Sequence, residues 1–117
     1  MSELLDTVLK TVDEKLGEDI VTIDMSAVSP FTDYFVIATA RNVRHAQSLA
    51  EFVEQEAAKY GYDVRVREGE KDSTWVLVDL NEVIVHIFTD ETRKTYRLEA
   101  LWADQPQTRL ETKEAAL

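Results

Sequence analysis

The chain has 117 residues, 44% of them hydrophobic and 31% charged, which suits one globular domain with a single core and leaves no room for a second. Its formal net charge of -10 opposes attachment to a phosphate backbone, which is normally driven by Lys and Arg, and favours encounter with a basic protein surface. No cysteine is present, so disulfides, thiolate nucleophiles and thiolate metal sites are excluded together. The N-terminal residues lack a basic segment leading into an apolar run, and no stretch approaches the ~20 apolar residues of a membrane span, so a cytoplasmic protein with no membrane partner is expected.

From residue 3 to 16, Leu4, Leu5, Val8, Leu9, Val12 and Leu16 follow the three-and-four spacing of one helical stripe, and Gly17 is expected to stop the helix. The β-branched run Ile20-Val21-Thr22-Ile23 predicts a short strand. A loop through Ser29-Pro30 leads to residues 34–39, a nearly continuous apolar strand whose composition implies burial on both faces. Val43, Ala46, Leu49, Ala50, Val53, Ala57 and Tyr60 form a second helical stripe, with Asn42 as N-cap and Gly61 past its end. Strict alternation over residues 63–67 predicts a strand with one wet face near a sheet edge. Residues 74–79 and 83–88 read as two strands of a hairpin whose turn places Asn81 at positive φ.

A last helix begins at Thr89 or Asp90 and carries Tyr96, Leu98, Leu101 and Trp102. Residues 104–117 lack an apolar stripe and are expected to form a mobile or weakly helical tail behind a domain spanning 1–103. The fold class is therefore α/β (α+β), a single mixed sheet of about five strands flanked by helices.

Chemistry is sparse in this sequence. His45 and His86 have no neighbouring ligand pattern, so no metal or other cofactor is expected. His86 shares a strand face with Ile84 and Phe88 and reads as a hydrogen-bonded structural histidine, whereas His45 beside Arg44 reads equally as a surface contact or a solvated side chain. The turn Ala38-Thr39-Ala40-Arg41-Asn42 has none of the glycines of a phosphate-cradling loop, and no serine stands in a nucleophile elbow. Asp24, Asp33 and Asp79 flank strands, where capping and turn formation account for them. Trp75 and Trp102 stand either as interface anchors or as core.

An ordered series of segments carries a resemblance. It runs through Thr32-Asp33-Tyr34-Phe35-Val36-Ile37-Ala38-Thr39, Arg44-His45, Glu68-Gly69, Ser73-Thr74-Trp75-Val76-Leu77-Val78-Asp79-Leu80 and Val83-Ile84-Val85-His86-Ile87-Phe88. It ends with Arg93, Tyr96, Leu98, Glu99, Leu101 and Trp102. Over residues 20–102 the chain resembles the ribosomal silencing factor (Iojap-like) family, although many members have Gly where Ala40 and Asn81 stand here. The resemblance implies a nucleotidyltransferase-like fold without catalytic residues, hence no enzyme.

It also implies binding to the large ribosomal subunit through its protein fourteen. Such binding would block association with the small subunit and repress translation when nutrients are scarce. Carried onto this chain, it implies Trp75 as an apolar anchor, Leu80 as further apolar contact and Asp79 as the partner of a Lys or Arg. The competing readings are a nucleotidyltransferase-like nucleotide-binding protein and a homodimer paired through an exposed helix or strand.

Overall fold

The computed structural model describes residues 2–111. Helix α1 (Glu3–Glu14) starts at Ser2, whose hydroxyl accepts from the Leu5 N–H at 3.1 Å, with Glu3 and Asp6 favourably placed in the positively polarised first turn. Its stripe of Leu4, Leu5, Val8 and Val12 is buried. The helix ends one residue earlier than a glycine stop requires. Leu16 takes the left-handed conformation (φ 69°), its N–H bonds to Asp13, and the Gly17 N–H reaches the Val12 carbonyl at 2.8 Å. Glycine is needed at 17 for space, because a Cβ there would stand 2.4 Å from Val12 Cγ1.

Strands β1 (Glu18–Asp24) and β2 (Tyr34–Ala40) pair antiparallel, with an irregularity between Glu18 and Val21. Helix α2 (Val43–Lys59) is capped by Asn42, whose side chain accepts from the His45 N–H at 2.8 Å. Tyr60, which continues the apolar spacing in the sequence, is the exposed C-cap, outside the buried stripe. Then come β3 (Val66–Glu68), β4 (Trp75–Asp79), β5 (Val83–Thr89), α3 (Asp90–Tyr96), α4 (Leu98–Leu101) and β6 (Gln107–Arg109). Asn81 turns the β4–β5 hairpin at φ 77°, as its side-chain chemistry predicts. Arg97, also left-handed at φ 48°, breaks the last helical segment into α3 and α4.

The strands form one six-stranded mixed sheet in the order β3-β4-β5-β2-β1-β6, in which β2 and β5 are the parallel pair. Helices α1 and α2 cover one face, where Leu4, Val8, Leu49 and Val53 meet Val36, Val76, Val85 and Ile87. On the opposite face a smaller core of Val21, Ile23, Met25, Ile37, Phe88 and Leu98 lies beneath α4 and its flanks.

The sixth strand corrects the expected boundary at residue 103. Val21, Thr22 and Ile23 of β1 pair with Arg109, Thr108 and Gln107. The Asp24 N–H bonds to Pro106, and the Leu110 N–H bonds to Ile20 at 2.8 Å. Leu110 also packs against the helix-side core. The chain thus stays in the fold through 110, while residues 112–117 of the expected tail lie outside the described residues. Truncation after Ala103 leaves β1 as a bare edge. At about 0.5–1.5 kcal/mol for each net hydrogen bond, the expected loss is about 2–4 kcal/mol, read as a lower urea midpoint at constant slope.

Candidate docking face

Alternation along β4 sends Val76 and Val78 to the helix side and Trp75, Leu77 and Asp79 to the other. Pairing extends this second face across the sheet in three rows. Trp75 lies opposite Phe88 and then Thr39; Leu77 opposite His86 and then Ile37; Asp79 opposite Ile84 and then Phe35. Trp75, Leu77, Asp79, Ile84 and Phe35 are each partly exposed. Helices α3 and α4 shield only part of this surface, and their ends add Tyr96 and Trp102 against it, while Leu101 on α4 is 68% exposed.

The aromatic side chains form one connected group. The Trp75 ring lies 4.8 Å from Phe88 and 4.8 Å from Tyr96 between centroids. Phe35 stands edge-on to His86 at 4.6 Å and to Trp102 at 6.5 Å. Trp75 Nε1–H donates to His86 Nδ1 at 3.2 Å, which fixes the His86 tautomer with its proton on Nε2. His86 is 5% exposed, and desolvation by burial pushes its pKa down to about 4, so the ring is a neutral acceptor near pH 7. Its Nε2 has no hydrogen-bond partner among the described residues.

Arg93 fixes the cover. It is buried on α3 and donates to Thr39 Oγ1 on β2 at 2.8 Å and, through Nε and Nη2, to Glu99 Oε2 on α4 at 3.2 and 3.1 Å. Its guanidinium therefore joins α3, α4 and the sheet through charge-assisted bonds and sets where Trp102 stands. Gln107 on β6 adds bonds to the Glu99 and Trp102 carbonyls.

The residues singled out from sequence separate here. Trp75 and Asp79 lie on the same open face. The Asp79 carboxylate accepts from the Asn81 N–H at 2.8 Å and makes no ion pair among the described residues. Leu80 lies elsewhere. It is 3% exposed, packs in the helix-side core, and its N–H bonds to the Val83 carbonyl in the turn. Its side chain supports the hairpin and offers no exposed contact in the free protein. The apolar side chains of the hairpin that share this open face with Trp75 are Leu77, two residues along β4, and Ile84, opposite Asp79 in the ladder.

Trp75 and Trp102 are both partly buried in the same cluster, between the two roles composition left open. His45 is neither a free contact nor simply solvated. Its Nδ1 accepts from the Arg41 N–H at 3.0 Å and its Nε2 meets the Lys15 carbonyl at 2.9 Å, tying the end of α1 to the start of α2.

Other chemistry is thin. The backbone donor of Arg41, in the turn where a phosphate-binding loop would sit, is already taken by His45. Asp24 accepts from the Ser26 hydroxyl at 2.6 Å and the Ser26 N–H at 3.0 Å, which hold its carboxyl below the usual range and explain it as a turn former. Among the described residues no group of three or more His, Asp or Glu side chains is disposed to hold a metal ion. Nor is any helix among them long and apolar enough to cross a membrane.

Comparison with known proteins places this geometry. Residues 1–116 match the family model described as ribosomal silencing factor during starvation. A ribosomal silencing factor of Halalkalibacterium halodurans is 35% identical over 109 residues, covering 93% of each chain. One from Bacillus subtilis is 39% identical over 94 residues, covering 80% of each. A crystal structure of a Chromobacterium violaceum protein superposes with a TM-score of 0.84 at 27% identity, covering 100% of both chains. The chain belongs to the ribosomal silencing factor family.

Proposed function

We propose that this protein binds the large ribosomal subunit through its protein fourteen, at the surface that meets the small subunit, and keeps the two subunits apart by occupying that surface. The observation that carries the reading is the open sheet face, where Trp75, Leu77 and Ile84 present apolar area beside the carboxylate of Asp79, which makes no ion pair among the described residues. A partly exposed Trp packed on aromatic neighbours, with partly exposed aliphatic side chains on the same sheet face, is the composition of an interface anchor. The adjacent carboxylate suits a Lys or Arg of a basic partner, and the net charge of -10 steers the encounter while disfavouring bare RNA. In this reading the protein is a cytoplasmic repressor of translation that acts by steric occupation and not as an enzyme.

Co-sedimentation tests the choice of partner. The protein is expected to pellet with purified large subunits and to stay in the supernatant with small subunits or free ribosomal RNA. Equal recovery with naked RNA would defeat the reading.

A further inference from the structure

We infer that His86 is a positioning residue for docking: through its Nδ1 it fixes the orientation of the Trp75 indole in the free protein, so that the anchor is preset before the partner arrives. This rests on the proposed docking role of Trp75. The geometry supporting it is specific. His86 lies opposite Leu77 in the β4–β5 ladder, and Trp75 lies opposite Phe88, so the indole and imidazole are diagonal neighbours on one sheet face. The indole N–H closes that diagonal at 3.2 Å, while Phe88 and Tyr96 hold the ring at 4.8 Å each.

With no partner for its Nε2–H among the described residues, the buried His86 imidazole bears the desolvation cost of that donor, and an aliphatic side chain of similar size would avoid it. The one side-chain hydrogen bond His86 makes among the described residues is to Trp75. Its effect is therefore directional. It selects one indole rotamer on a partly exposed side chain that apolar packing alone would hold less uniquely. A preset anchor loses less rotamer freedom on binding, which appears as affinity.

Three substitutions separate this from a merely structural role. His86→Asn keeps an acceptor near the Nδ1 position, His86→Gln moves it toward the Nε2 position, and His86→Leu removes it. With purified large subunits, His86→Leu and His86→Gln are expected to weaken binding on the order of tenfold, with His86→Asn close to wild type. In 15N-labelled protein, the indole N–H resonance assigned to Trp75 by its loss in Trp75→Phe should shift and exchange faster in the Leu and Gln variants, and return in Asn. In a Trp75→Phe background, which has no indole donor, His86→Leu should cost no further affinity.

Wild-type binding by both His86→Leu and His86→Gln, while Trp75→Phe or Trp75→Ala binds weakly, overturns the positioning role and leaves the docking reading standing. Wild-type binding by every Trp75 and His86 variant removes the docking reading, and the positioning role falls with it. Should His86→Leu fail to fold, the contrast between Asn and Gln carries the same decision: equal affinities for those two would overturn the inference.

Discussion

Replacing Trp75 with alanine is expected to weaken large-subunit binding by about thirtyfold or more, the equivalent of about 2 kcal/mol for a truncated aromatic anchor. The protein should remain folded. Trp75 is partly exposed and packs on Phe88, Tyr96 and His86, so its removal forfeits only part of the about 3–5 kcal/mol that a fully buried large aromatic commands. Affinity and thermal melt must therefore be read on the same sample. A cooperative melt lowered by a few degrees with a large affinity loss is the expected pair. A protein already unfolded at assay temperature would make Trp75 a core residue, and wild-type values in both measurements would remove it from the interface and the core alike.

Among single substitutions, a large stability effect is expected at Gly69, and it arises in backbone rather than side chains. Gly69 adopts φ +102° in the β3–β4 loop, where an added Cβ would stand 2.7 Å from the Trp75 carbonyl oxygen and 2.9 Å from Val76 Cα. Neither neighbour can rotate away. The loop is held from its other side by Gln47, whose amide donates to the Gly69 and Glu70 carbonyls at 3.2 and 2.7 Å. Gly69→Ala combines an unfavourable φ with overpacking and should cost about 2–4 kcal/mol, measured by urea unfolding. A change below about 0.5 kcal/mol would mean that the loop relaxes freely and does not define the start of β4.

What was legible in the sequence followed the strength of its periodic signals. The stripes of α1 and α2, the apolar β2 and the Asn81 hairpin each satisfy local propensity and tertiary packing together, so their patterns survive in the fold. Strand β6 was not legible, because Gln107, Thr108 and Arg109 are polar and exposed, and what makes them a strand is the free edge of β1. The end of α1 misled for a related reason: Leu16, not glycine, takes the left-handed position, and Gly17 is required by its approach to Val12.

The candidate docking face was half legible. Trp75 and Asp79 stand two and four positions apart from Leu77 and Trp75 on one strand, so period-two counting groups the three. Leu80 has the other parity: the same counting groups it with Val76 and Val78, and its side chain packs with theirs in the helix-side core. The contributions of Ile84, Phe35 and Trp102, and the bond from Trp75 to His86, depend on register and chain pairing that no local pattern encodes.

Exclusion of the small subunit by this protein seated on the large subunit is measured directly by light scattering of purified subunits. Large subunits incubated with excess protein and then mixed with small subunits should show a scattering rise that diminishes as protein is added, and Trp75→Ala should restore the full rise. A full rise at saturating wild-type protein, with that protein demonstrably bound to the large subunit, would contradict the steric mechanism.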